Sequence, residues 1–136
     1  MNFQAGSVVE FQSFAPVTKE HLKAYSDASG DFNKIHLDEE VAKNAGLPGI
    51  IAHGMFIAAL IAERARKFIE SDSALKGFQM AHFQTRFKAM TLLGDEPSVG
   101  GIVKQAEPNL IVLELQAKNQ RGEITTTGIA TWKSSA

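Results

Sequence analysis

The stretch HGMFIAALIAERARKFI, residues 53–69, decides the fold. Its first half is apolar on every side and its second half is charged along one side, the pattern of a helix enclosed by protein. Leu47-Pro48-Gly49 breaks the chain before it. From Phe78 onward the pattern turns to β: FQMAHFQTRFKAM (78–90), SVGGIVKQAE (98–107), LIVLELQAKNQ (110–120) and ITTTGIATWKS (124–134) follow one another across Gly-Asp, Pro-Asn and Arg-Gly turns. These four segments predict an antiparallel meander able to curl around the helix.

On the N-terminal side, SVVEFQSF (7–14) reads as a strand, and Pro16-Val17-Thr18 as a turn leading to a helix N-cap with His21, in place of the usual Glu, at N3. The helix is expected from about Lys19 to Ala28, with Leu22, Tyr25 and Ala28 as its apolar stripe and Gly30 as a left-handed stop. Leu37 to Ala45 predicts a short helix with acidic residues in its first turn. The layout is α+β, with an antiparallel curved sheet wrapped around a long central helix.

A length of 136 residues with 44% hydrophobic content suits one domain, expected over residues 1–136. The formal net charge of -1 offers no field of one sign, so neither nucleic acid nor an anionic membrane is an expected partner. With no cysteine, disulfides, thiolate nucleophiles and cysteine metal sites are excluded. The leading MNFQAGSVVEFQSF lacks a basic leader or an apolar run, and no stretch reaches the ~18 apolar residues of a membrane span, so a cytoplasmic location is expected.

Chemistry concentrates at SGDFNKIH (29–36), where a carboxylate and an imidazole stand five positions apart on an irregular segment. An imidazole exchanges protons near neutral pH, and a carboxylate can orient or polarise it. On these two residues alone, a capping Asp31 and a structurally bonded His36 remain the alternative. In IIAHGMF (50–56), Gly54 falls in the first turn of the apolar helix, where a free N–H points out of the positive end of the dipole. Without a Cβ there, a ligand carbonyl can approach the backbone, although tight packing alone also calls for glycine. Carboxylate, imidazole and backbone donor together meet the needs of water addition across an α,β-unsaturated carbonyl.

The segment YSDASGDFNKIHLDEEVAKNAGLPGIIAHGM (25–55) resembles the hydratase motif of the MaoC-like family, in particular the (R)-specific enoyl-CoA hydratases. That family carries Gly-Asp-x-Asn-Pro-x-His followed by a His-Gly-Met-type helix start, and the Phe-rich strand and Gly-Asp turn of FQTRFKAMTLLGDE (83–96) extend the likeness over most of the chain. The resemblance implies a hot-dog fold and hydration of trans-2-enoyl thioesters of CoA or acyl-carrier protein to (R)-3-hydroxyacyl thioesters, or the reverse dehydration. It implies Asp31 and His36 as the catalytic pair acting on water, Gly54 as oxyanion donor to the thioester oxygen, and Asn33 as a loop-ordering residue. It also implies a homodimer. Lys34 stands where the family usually has proline, and Ala62 where several relatives carry serine.

His53, beside Gly54, is expected to line the substrate site or tie the loop to the helix. A metal site from Asp31, His36 and His53 lacks a recognised ligand spacing, so no metal and no redox cofactor are expected. His82 reads as structural, Phe78, Phe83 and Phe87 as strand core, and Glu63, Arg64, Arg66, Lys67 and Glu70 as a solvated helix face. Acyl-chain length is expected to depend on how the helix, the 71–79 connection and the strands close a tunnel. A hot-dog thioesterase and a non-catalytic acyl-thioester binding module are the competing functions.

Overall fold

The computed structural model describes residues 2–134. In chain order these form β1 (Val8–Ser13), α1 (Lys19–Ser29), a 3-10 turn (Lys34–His36), α2 (Glu39–Asn44), α3 (Gly54–Glu70), a second 3-10 turn (Ser73–Leu75), β2 (Phe78–Phe87), β3 (Ser98–Glu107), β4 (Leu110–Lys118) and β5 (Ile124–Ser134). The strands make one antiparallel sheet in the order β1-β3-β4-β5-β2. Helix α3 lies along its inner face, the hot-dog arrangement.

The expected four-strand meander holds for β3, β4 and β5 and fails for β2. Strand β2 pairs with β5, from Phe78 opposite Ser134 to Phe87 opposite Thr126, while β1 takes the free edge of β3. Alternation of apolar and polar residues says which face a strand buries but not which neighbour it pairs with. The crossing segment 88–97 carries the chain from edge strand β2 across to β3, next to the opposite edge. It is anchored at Asp95, which is 3% exposed and accepts from Leu92 N–H, Gln120 Nε2 and both terminal guanidinium nitrogens of Arg121. Burial pushes the Asp95 carboxyl up, but the bonds from Arg121, Leu92 and Gln120 outweigh it and hold it below its ordinary value.

The buried stripe of α3 is Ile57, Ile61, Ala65 and Ile69, at the i, i+4 spacing of one helix face. It packs on the inward rows of the sheet, among them Val99, Val103, Leu113, Leu115, Ala130 and Trp132. Close approach is possible because Gly128 carries no side chain: a Cβ there would meet Ile61 Cγ2 at 2.9 Å. The first half of α3, apolar all round in sequence, nevertheless leaves Met55 and Ala59 in solvent.

Helix α1 begins as expected. Thr18 Oγ1 accepts the His21 N–H at 3.1 Å while the Thr18 N–H donates to His21 Nδ1 at 3.3 Å, a reciprocal cap with histidine in the place of glutamate. Gly30, at φ 80°, ends it. Its buried face is Leu22 and Ser26 with Tyr25 half-buried, whereas Ala28 is exposed. The inward row runs i, i+3, i+4, and Ser26 on it has a polar partner in the site. No helix among the described residues is long and apolar enough to cross a membrane.

Candidate functional site

The loop after α1 is shaped by its own side chains. Asp31 N–H donates to Ser29 Oγ at 3.2 Å, Asn33 N–H to Asp31 Oδ1 at 3.1 Å, and Ile35 N–H to Asn33 Oδ1 at 3.2 Å. These successive two-residue turns lead directly into the 3-10 turn that carries His36 inward. Asn33 thus caps the 3-10 turn with its own side chain.

His36 is 8% exposed and places Nδ1 at 2.8 Å from the carbonyl oxygen of Ile51. A carbonyl can only accept, so Nδ1 carries a proton, and in the neutral ring Nε2 is the nitrogen that keeps its lone pair. The Ile51 N–H returns a bond to Ile35 O at 3.3 Å, fastening the loop to the segment that precedes α3.

His53, the N-cap residue of α3, is 2% exposed and makes no side-chain cap bond. Its Nε2 lies 3.1 Å from Ser26 Oγ and 3.2 Å from the backbone oxygen of Asp31. The Asp31 carbonyl fixes the proton on Nε2, leaving Nδ1 as a buried acceptor with no partner among the described residues. The ring stacks on His36 with centroids 3.9 Å apart, and the Tyr25 ring packs beside it at 4.8 Å. Burial, followed by repulsion from His36, pushes the His53 imidazole below its ordinary value despite the opposing pull of Asp31.

Gly54 opens α3, so its N–H has no intrahelical acceptor. It borders a cavity of about 340 Å³ shared with His36, Ile51, Ile57, Phe87, Met90 and Thr126. A Cβ on Gly54 would come within 3.1 Å of the Phe87 ring. The cavity therefore brings together the His36 imidazole, the start of α3 at Gly54 and a mostly apolar wall that also includes Lys88. A hollow of about 400 Å³ on the outer sheet face, lined in part by Gln84, Arg86 and Glu114, contains neither imidazole nor helix start. One of about 670 Å³ at the far end of α3, lined in part by Leu75, Phe78 and Trp132, contains no imidazole.

Of the five residues singled out in the sequence, His36 and Gly54 line this cavity, while Asp31 and Asn33 lie on the exposed loop before His36 and His53 is buried behind it, stacked on the His36 ring. The cavity walls from Lys88 to Thr91, and Thr126, were not foreseen. Phe87 read as ordinary strand core, yet it is 51% exposed at the cavity mouth. The 71–79 connection leaves α3 at its opposite end and takes no part in this cavity, whose wall is built by 87–91 instead. One usable signal lay in ITTTGIATWKS, where Thr126 shares an alternating row with Gly128, Ala130 and Trp132.

One potential ligand atom each of Asp31, His36 and His53 falls within 4.8 Å of the others. His36 Nδ1 and His53 Nε2 hold protons on carbonyl oxygens, which leaves one free nitrogen on each ring.

A sequence profile described as MaoC like domain matches residues 2–108. Fatty acid synthase 2 of Mycosarcoma maydis is 35% identical over 112 residues, which are 80% of this chain and 3% of that protein. The chain thus spans a small part of that relative's length. Among solved structures, the R-hydratase PhaJ1 of Pseudomonas aeruginosa superposes with a TM-score of 0.81 at 26% identity, over 97% of this chain and 82% of that one. The (R)-hydratase from A. caviae involved in PHA biosynthesis shares the fold, with a TM-score of 0.80 at 24% identity over 98% of each chain.

Proposed function

This chain belongs to the MaoC-like domain family, and on that premise we propose that it adds water to trans-2-enoyl thioesters of CoA or acyl-carrier protein to give (R)-3-hydroxyacyl thioesters, or runs the reverse dehydration. The observation that carries the reading is the hydrogen bond of His36 Nδ1 to Ile51 O, which leaves Nε2 free as a base beside the Gly54 N–H. His36 Nε2 takes a proton from water as the water oxygen bonds to C3. The C2–C3 π electrons move toward the thioester carbonyl, where the Gly54 N–H stabilises the enolate oxygen. A proton then returns to C2 and the carbonyl re-forms. The Asp31 carboxylate, held by the Asn33 N–H, accepts a hydrogen bond from the same water and orients it. Asn33 orders the loop, and His53 backs the pair.

In this reading the chain is a single hot-dog domain, works in the cytoplasm, and forms a homodimer. The dimer is supported by strand β2, which lies at a sheet edge, and by Phe32, Met55, Phe87 and Met90, large apolar side chains left exposed on the loop, at the start of α3 and beside the cavity. Light scattering giving the 14.7 kDa mass of one chain at micromolar concentration would contradict the dimer.

The deciding experiment is incubation with crotonyl-CoA, following loss of enoyl absorbance and the stereochemistry of the product. An (S) product sinks the proposal. Release of free thiol without hydration points to the thioesterase, which directs water at C1 instead.

A further inference from the structure

The cavity holds two polar groups that neither catalysis nor packing uses. Thr126 and Thr91 line it at 2% and 5% exposure, and among the described residues no hydrogen-bond partner is found for either hydroxyl. The adjacent Thr125 shows the contrast, donating its hydroxyl to Ala117 O at 3.4 Å. Thr126 lies two residues before Gly128, whose missing side chain points at Ile61, so its own side chain faces the α3 side of the sheet. Across the strand pair it stands opposite Phe87, whose ring packs on Gly54. Thr91 borders the same space, with its carbonyl receiving the Ala52 N–H at 2.8 Å.

Apart from His36 and Lys88, the rest of the wall, with Ile51, Ala52, Ile57, Ala89 and Met90, is apolar. A plain alkyl chain in this cavity would desolvate two hydroxyls without replacing their hydrogen bonds, which is unfavourable. A chain carrying an oxygen at the right carbon would satisfy them. We propose that Thr126, assisted by Thr91, makes this site selective for acyl thioesters whose acyl chain bears a hydrogen-bonding oxygen beyond C3, over plain alkyl chains of equal length. The proposal rests on the acyl-thioester reading of the cavity and specifies its substrate class.

The test separates the two. Affinity is measured by calorimetry for the saturated thioesters hexanoyl-CoA, 4-oxohexanoyl-CoA and 5-oxohexanoyl-CoA, which cannot be hydrated, with wild type, Thr126→Val, Thr126→Ser and Thr91→Val. Wild type should bind at least one oxo compound about tenfold more tightly than hexanoyl-CoA. Thr126→Val, of nearly equal volume, should erase most of that preference, Thr91→Val should reduce it, and Thr126→Ser should retain it. Equal binding of all three compounds by wild type overturns the proposal, as does a preference that survives in Thr126→Val, the result expected if an ordered water already satisfies the hydroxyl. Failure to hydrate crotonyl-CoA despite selective binding would instead count against the catalytic reading alone.

Discussion

The imidazole of His53 lies against that of His36 with ring centroids 3.9 Å apart and 24° between their planes. The two rings cannot comfortably carry protons together, and the one deeper in the protein is His53. Its bonds to Ser26 and to the Asp31 backbone fix a proton on Nε2, while burial and the neighbouring His36 oppose a second proton on the ring. In the proposed reaction His36, whose Nε2 carries no hydrogen bond among the described residues, is the ring that handles the proton.

This pairing predicts a pH-dependent stability. The folded His53 resists protonation, so below its ordinary value of 6.5 the unfolded chain binds the proton first. Its contribution is fully present above pH 6.5 and falls away as the pH drops through that value toward the folded one. Urea unfolding between neutral pH and mild acid should show this slope in wild type and a flatter one in His53→Gln, which keeps a donor but cannot titrate. Parallel profiles for the two proteins would contradict the assignment.

His36→Ala and Asp31→Asn should each lower the hydration rate by about 10²–10⁴-fold with the fold intact by circular dichroism, because each removes a proton-handling group from a loop. His36→Ala loses the Ile51 bond and should cost some stability. Asp31→Asn can still accept from the Asn33 N–H and should cost less. A folded variant with near wild-type turnover would remove that residue from the mechanism.

Gly54→Ala separates catalysis from packing. The added Cβ would stand 3.1, 3.2 and 3.3 Å from three carbons of the Phe87 ring, and that ring is half exposed and able to swing aside. Stability should therefore change by less than about 1 kcal/mol, since alanine also favours the helix. The rate should fall at least about tenfold, as the methyl group obstructs the thioester oxygen at the free N–H. An unchanged kcat/KM would show that the donor lies elsewhere.

Lys34→Pro should be tolerated. Lys34 opens the 3-10 turn, where the N–H has no acceptor within the turn, and the preceding Asn33 has φ -59° and ψ 124°, a conformation that the residue before proline readily adopts. The variant should gain about 0.4–1 kcal/mol from the reduced entropy of the unfolded chain, with turnover unchanged or raised. A lower urea midpoint would reject this. A KM that rises in Lys34→Pro and converges on wild type with added salt would mark the lysine as a contact to a substrate phosphate.

What could be read from the sequence by itself is what depends on neighbours along the chain. The Thr18 cap, the Gly30 stop, β3 and β5 end to end, and the turns that Asp31 and Asn33 impose all rest on bonds spanning a few residues or on a period of two or 3.6. The family-like motif belongs to the same class, because its residues lie within one short stretch. The tertiary structure decided the rest. It set β2 beside β5, put Phe87 opposite Thr126 and against Gly54, stacked His53 on His36, and left Ala28 in solvent. It also chose the His36 tautomer, through a carbonyl 15 residues away. Such relationships are fixed when distant elements compete for the same partners and the same buried space, and that competition leaves no periodic trace in any one segment.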